Sequence, residues 1–137
     1  MANEQPYQCK YFSERELACR HCGQSGCSDE LKKALDEYRE VVGMPVEVHD
    51  AYRCTAHNAT VSLVKKSEHP LGAAADIRVP GLTLQEMYDA AKKVPAFFYG
   101  GIGVYDAQFI HVDIRDRQAR WAFVAGKEQP ALVLVMV

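Results

Sequence analysis

The sequence predicts a single α+β domain in which two or three helices pack against a mainly antiparallel sheet. Three observations lead to this prediction. The chain has 137 residues, which is the size of one domain. Two segments show helical spacing of apolar residues behind capping residues, and several short alternating segments are typical of strands. No repeat, low-complexity segment or linker divides the chain, so residues 1–137 are taken as one domain.

The N-terminal part is predicted to contain a tail, a helical turn and one long helix. Residues 1–12 are polar with a few aromatic side chains and are expected to pack on the domain body. Ser13 and Glu16 have the spacing of a capping box, which predicts a short helical turn. Ser28 follows a loop rich in glycine and cysteine and is predicted to cap a helix that runs to about Val42.

The middle of the chain is predicted to contain two strands and a second helix. Alternation over residues 46–52 predicts a strand, and residues 55–68 form a polar connector. The apolar run 74–79 predicts a buried strand. A second capping box then begins at Thr83 and predicts a helix to about Lys93.

The last third is predicted to be β structure. Pro95 and the double glycine at 100–101 interrupt the chain. Three antiparallel strands are expected after them, over residues 102–105, 109–115 and 120–124. The apolar residues 131–137 are far too short for a membrane span and are expected to form a final strand.

Composition, charge and the N-terminal residues argue against some classes of function. The apolar fraction is 48%, the charged fraction is 25% and the net charge is −2, without a basic run. These values give little electrostatic support for nucleic-acid binding. The N-terminus lacks the basic start and apolar core of a signal peptide. We therefore expect a protein without a membrane span that is synthesised in the cytoplasm without a signal peptide, and we expect a monomer.

The residues with the clearest chemistry are His69, Asp76 and His111. Two imidazoles and one carboxylate suit a catalytic zinc, because three protein ligands leave a fourth position open for water. Small residues at 72–75 would let the backbone bring His69 back over Asp76. The spacing of His69 and Asp76 is a weak signal by itself. Alternatively, His111 is an ordinary strand histidine.

Side-chain alternation places His111 and Asp113 on the same face of their predicted strand, with Phe109 and Arg115. The intervening apolar residues would face the core. His111 and Asp113 are therefore expected to project together into one groove.

These motifs together resemble the zinc D-Ala-D-Ala carboxypeptidases and phage peptidoglycan endopeptidases, a family with the hedgehog-type fold. The resemblance covers about residues 10–125. It rests on motifs that occur in the family's order: Tyr52-Arg53, Asn58, Ser67 to Ile77, Gly100 to Gly103 and His111-Val112-Asp113.

The resemblance implies a zinc-dependent peptidase that hydrolyses peptide bonds of peptidoglycan stem peptides or cross-bridges, as a carboxypeptidase or an endopeptidase. It implies that His69, Asp76 and His111 bind one Zn²⁺ ion. Arg53 would hold a substrate carboxylate or carbonyl, a task that suits a guanidinium fork, and a surface salt bridge is the alternative. Tyr52 and Ser67 are also expected to contact substrate, and a cap of the turn is the alternative for Ser67. A phage-encoded endolysin or tail component would reach the cell wall without a signal peptide.

The general base is the point where the resemblance weakens. Many family members carry an acid three residues before the last histidine, and this chain has Gln108 there. Asp113 is the first candidate for the base, and Asp106 and Glu68 follow. Asp113 could instead orient His111 or Arg115. Because of Gln108, a non-catalytic zinc-containing module that binds cell wall or protein remains an alternative. An α+β domain without metal is a third hypothesis.

Cysteine residues form a second cluster of interest. Cys19, Cys22 and Cys27 lie close in sequence, with Cys9 before them and Cys54 after them. We expect reduced or partly disulfide-bonded thiols first and a second, structural zinc on Cys19, Cys22 and Cys27 next. A catalytic cysteine is the last alternative.

Overall fold

The computed structural model describes residues 7–20, 22–52, 72–106, 108–124 and 127–129. Within these ranges the chain is an α+β domain with one six-stranded sheet, which confirms the predicted fold class. The strand order across the sheet is β1-β2-β4-β3-β5-β6. The strands are β1 (Glu47–Asp50), β2 (Ala74–Arg78), β3 (Gly101–Tyr105), β4 (Phe109–Asp113), β5 (Ala119–Val124) and β6 (Lys127–Gln129).

Four helices accompany the sheet in the described ranges. They are α1 (Glu14–Leu17), α2 (Asp29–Val42), α3 (Leu84–Ala91) and α4 (Pro95–Phe98). The Ser13 and Thr83 side chains each cap a helix through a complete capping box, as predicted. Ser28 accepts a hydrogen bond from the backbone of Leu31 at the start of α2. Gly43 ends α2 with a left-handed conformation, φ 65°.

One pairing differs from the prediction of three antiparallel strands. Strands β3 and β4 are antiparallel neighbours, but β5 pairs with β3 in parallel. The reason is that β4 already has β2 on its other edge. Strand β5 must therefore pass to the free edge of β3, where its direction matches that of β3. Sequence alternation identifies strands but does not reveal which edges are occupied.

Two further elements differ from the prediction made from the sequence. Pro95 does not merely interrupt the chain, because it starts α4 at the first helical position, where its missing N–H is harmless. A short strand, β6, occurs at Lys127–Gln129 and pairs with β5. The predicted final strand at 131–137 and the connector at 55–68 lie outside the described residues.

The core lies between the helices and one face of the sheet. Ile77, Ile102 and Ile110 point from three neighbouring strands to this face and are fully buried. Leu35 and Tyr38 of α2 pack in the same cluster, and the Tyr38 hydroxyl donates to the backbone oxygen of Met87 at 3.0 Å. Because strand side chains alternate, the opposite face of the sheet carries the polar residues of the predicted site.

The described part of the N-terminal tail, residues 7–12, packs on α2. The Asp36 carboxylate accepts the Tyr7 hydroxyl at 2.6 Å and the Lys10 and Tyr11 backbone N–H groups at 2.7 and 3.1 Å. Phe12 joins the core. Within the described residues, no helix is long and apolar enough to cross a membrane.

Candidate metal centre

The predicted ligands Asp76 and His111 lie directly opposite each other on adjacent strands. Asp76 of β2 pairs with His111 of β4, and His111 pairs with Gly103 of β3. The Nδ1 atom of His111 is 3.1 Å from Oδ1 of Asp76. Both residues are largely buried, with 8% and 6% of their surface exposed. The sheet therefore brings together a carboxylate and an imidazole that are 35 residues apart in sequence.

Asp113 lies behind His111 as a fully buried carboxylate. Its Oδ2 atom is 2.7 Å from Nε2 of His111 and 2.7 Å from Nη2 of Arg115. Its Oδ1 atom accepts from the Arg115 Nε atom at 2.9 Å and from the Gly101 backbone N–H at 2.8 Å. A carboxylate has about four lone-pair positions, so these contacts occupy its acceptor capacity.

Contacts within the group of His111, Asp113 and Arg115 shift the pKa values of His111 and Asp113 in opposite directions. Burial alone would raise the pKa of Asp113, but hydrogen bonds from His111 and Arg115 outweigh burial and hold that pKa well below its usual range. Burial alone would lower the pKa of His111, but hydrogen bonds to Asp113 and Asp76 raise it to about 9. Asp113 is therefore an ionised carboxylate. It favours the form of His111 that carries a proton on Nε2 and donates it in a hydrogen bond.

Two glycines make room for this arrangement. A Cβ atom on Gly101 would lie 2.4 Å from Oδ2 of Asp113, and one on Gly103 would lie 2.3 Å from Nε1 of Trp121. Real Cβ atoms do not approach neighbours so closely. Gly101 and Gly103 thus leave the space over β3 that the Asp113 and Trp121 side chains occupy. The sequence predicted an interruption of the chain at the double glycine and a family motif over Gly100 to Gly103, but not the space that these glycines leave for Asp113 and Trp121.

Trp121 belongs to this group and was not among the site residues predicted from the sequence. Its ring centroid is 5.0 Å from that of His111, and the Cζ atom of Arg115 is 5.0 Å from the Trp121 ring centroid. Its Nε1–H donates to the Tyr105 hydroxyl at 3.0 Å. Trp121 reaches the site because β5 pairs with β3, placing Trp121 opposite Gly103. The only available signal was its position in the predicted strand 120–124, on the face opposite Ala122.

Of the residues predicted to contact substrate, Tyr52 lies within the described ranges. Tyr52 is half-buried and its ring lies against the backbone at Gly26, where a Cβ atom would be 2.4 Å from Cδ1 of Tyr52. His69, Arg53 and Ser67 lie outside the described residues, as does Glu68. Their roles stay predictions.

Gln108 and Asp106 lie in the β3–β4 turn and are exposed. Gln108 has a left-handed backbone, φ 75°, and its side-chain amide donates to the Asp106 backbone oxygen at 3.3 Å. Position 108 lies just before β4, in the turn and not on the strand that carries His111. The Gln108 side chain therefore stabilises the turn in which it lies.

The side chains available as metal ligands are of types that zinc binds. An aspartate oxygen and a neutral imidazole nitrogen are normal zinc ligands, and Asp76 and His111 face each other. A carboxylate behind a metal-binding histidine is also common, because it fixes the ring orientation. Across the described ranges, no group of three metal-binding side chains occurs, for zinc or for the cluster of Cys19, Cys22 and Cys27. His69 is the predicted third ligand.

Comparison with known families decides the assignment. The family model of Peptidase M15 matches residues 10–113, about three quarters of the chain. The chain belongs to the Peptidase M15 family. This confirms the family resemblance inferred from the motifs and supports a metallopeptidase. A comparison with curated protein sequences found no significant match. The matched range includes Asp76, His111, Asp113 and the two glycines of β3, and it ends before Trp121.

Proposed function

We propose that this M15 protein is a zinc-dependent peptidase that hydrolyses peptide bonds of peptidoglycan stem peptides or cross-bridges. The observation that carries the proposal is the 3.1 Å approach of Asp76 Oδ1 and His111 Nδ1 on neighbouring strands of one face. His69, seven residues before Asp76, supplies the third ligand in this proposal. One zinc ion held there would polarise the scissile carbonyl and make a bound water more acidic.

The protein's own residues prepare this site for a metal. His111 directs Nε2 toward Asp113, so the proton on that nitrogen is held by an ionised carboxylate. Nδ1 is then the nitrogen that faces Asp76 and the proposed zinc. The Arg115 guanidinium and the Gly101 N–H fix Asp113 in turn. Ring orientation is thereby set before a metal arrives.

Asp113 is better suited to positioning than to taking a proton from water. It is fully buried, its oxygen atoms are occupied by donors, and its pKa is held low. A general base needs to reach the proton that it removes and needs a pKa near the working pH. We therefore propose the orienting role for Asp113. Among the other two candidates, Asp106 lies in the exposed turn, which leaves Glu68 beside the predicted ligand His69 as the acid to test.

Substrate recognition is proposed for the residues around the end of β1. Arg53 would bind a peptide carboxylate through two parallel hydrogen bonds, with Tyr52 and Ser67 beside it. The connector at residues 55–66 and the segment at residues 80–100 are short in sequence, which favours an open cleft and therefore an endopeptidase. Action on the cell wall as a phage-encoded endolysin or tail component is part of the same proposal.

Digestion of purified peptidoglycan with zinc-loaded protein, read by mass spectrometry, tests the proposal. A chelated sample and Asp76→Asn are the controls. Zinc-dependent new peptide ends are expected, and their identity gives the bond that is cut. Zinc binding without cleavage of several wall chemistries would contradict the peptidase proposal.

A non-catalytic zinc-containing binding module is the second candidate, because Gln108 occupies the position at which the family resemblance predicts an acid. It predicts retention of the zinc-loaded protein on insoluble peptidoglycan without release of peptides. The mass-spectrometric digest and a pull-down of the same sample separate the two candidates.

A further inference from the structure

Four side chains at the site form a closed cycle of contacts. His111 bonds Asp113 at 2.7 Å, and Asp113 bonds Arg115 at 2.7 Å. Arg115 lies over the Trp121 ring at 5.0 Å, and the Trp121 ring contacts that of His111, also with centroids 5.0 Å apart. The cycle returns to the residue at which it began. Three of its members come from β4 and the residues that follow it, and Trp121 comes from β5, two strands away.

We infer that Trp121 is a positioning residue that holds His111 in the orientation in which Nδ1 faces Asp76. This inference rests on the proposed zinc site. Asp113 and Asp76 contact the two ring nitrogens of His111, but contacts at the edge of an imidazole still let the ring tilt out of its plane. The indole contact, inclined at 49°, restricts that motion from a second side.

Trp121 is itself fixed by three independent contacts. Its Nε1–H donates to the Tyr105 hydroxyl, and its ring packs over Gly103, where the three nearest atoms to an added Cβ all belong to the indole. Arg115 lies over its ring with the guanidinium already paired to Asp113. A cation over an indole is a favourable arrangement. The indole is therefore a rigid wall of the metal centre.

Trp121 is also the single tryptophan of the chain, so its fluorescence reports on the site. The first measurement titrates wild-type protein with Co²⁺ and follows tryptophan emission. We expect quenching that saturates with the binding isotherm and is reversed by excess chelator. Unchanged emission on full Co²⁺ occupancy would overturn the placement of the indole beside the metal.

The second measurement compares zinc affinity by competition with a chromogenic chelator in three variants. Trp121→Leu removes the ring, Trp121→Phe restores an aromatic ring, and Gly103→Ala adds a Cβ that displaces the indole without changing a ligand. We expect affinity to fall about 10- to 100-fold in Trp121→Leu, the usual effect of removing a residue that orients a metal ligand. Trp121→Phe should recover most of the loss.

Gly103→Ala keeps the test decisive if Trp121→Leu does not fold. It should weaken zinc affinity about tenfold or more. Tyr99→Leu, a loss of an aromatic ring from a side chain that is 67% exposed, is the matched control and should bind zinc like wild type. Wild-type affinity in folded Trp121→Leu or Gly103→Ala would overturn the inference while leaving the zinc site intact. Absence of zinc binding in wild type would instead contradict the proposed function.

Discussion

The Nε2 atom of His111 lies 2.7 Å from Oδ2 of Asp113, while Nδ1 of the same ring faces Asp76 at 3.1 Å. One imidazole thus lies between two carboxylates with different surroundings. Asp113 is fully buried and paired with Arg115, whereas Asp76 retains 8% of its surface exposed. This difference suggests a division of roles in which Asp76 serves the metal and Asp113 serves the ring.

The role of Asp113 is tested by Asp113→Asn. If Asp113 orients His111, the variant should lose about 10- to 100-fold in zinc affinity, and excess zinc should restore part of the hydrolysis. Competition with a chelator and the peptidoglycan digest measure the two effects. Asp116→Asn, the same change at an exposed position nearby, should behave like wild type. Full zinc affinity with lost hydrolysis would assign the general base to Asp113 instead.

Glu68→Gln gives the complementary result. If Glu68 takes the proton, this change should lower kcat by about 100-fold or more and leave zinc affinity within about twofold of wild type. Steady-state kinetics on a defined stem peptide and the chelator competition provide both values. An unchanged kcat would remove Glu68 from the candidates.

Gly101→Ala should destabilise the fold. The added Cβ would lie 2.4 Å from Oδ2 of Asp113, within a group that is fully buried. Overpacking of this kind costs about 1–3 kcal/mol. Urea unfolding followed by circular dichroism measures the change in free energy. Wild-type stability would show that Asp113 can move aside without cost.

Two carboxylates of α2 contact the N-terminal tail, and removing each of them should change the free energy of unfolding by a different amount. Asp36→Ala leaves three donors of residues 7–11 without their acceptor and should lower the free energy of unfolding by about 2–3 kcal/mol. Glu40→Ala removes exposed contacts to Lys10 and Tyr11 and should cost less than about 1 kcal/mol. Chemical unfolding compares the two, and equal losses would contradict an anchoring role of Asp36.

Thiol chemistry should depend on pH in a defined way. Burial raises the pKa of Cys27 to about 11, although Lys32 and a hydrogen bond from the Tyr52 backbone offset part of the effect. Because the folded pKa exceeds the unfolded value of about 8.5, this thiol contributes stability below pH 8.5 that is lost as pH rises toward 11. At pH 8, iodoacetamide should modify exposed Cys22 well before Cys27. Peptide mapping gives the order, and faster modification of Cys27 would contradict its burial.

The sequence predicted much of the fold because its signals are local. The capping boxes at Ser13 and Thr83 and the glycine at position 43 mark helix ends directly. Alternation also placed His111 and Asp113 on one face, and the structure confirms this. The parallel pairing of β5 with β3 depended on which strand edges were free, a property of the whole sheet.

The same limitation explains the missed parts of the site. Trp121 reaches His111 only across Gly103, so neither its role nor that of the glycine could be inferred before β5 was placed. The predicted pairing of His111 with Asp76 came from family motifs rather than spacing. Arg53, Ser67 and His69 remain predictions, because they lie outside the described residues.

Zinc titration of the metal-free protein tests the central claim most directly. We predict that wild type binds one more zinc ion per chain than His111→Ala and Asp76→Ala, and that His69→Ala loses the same ion. Comparing the variants separates this site from any zinc held by cysteines. Equal zinc stoichiometry and affinity in wild type, His111→Ala and Asp76→Ala would contradict the claim that these residues form the metal centre.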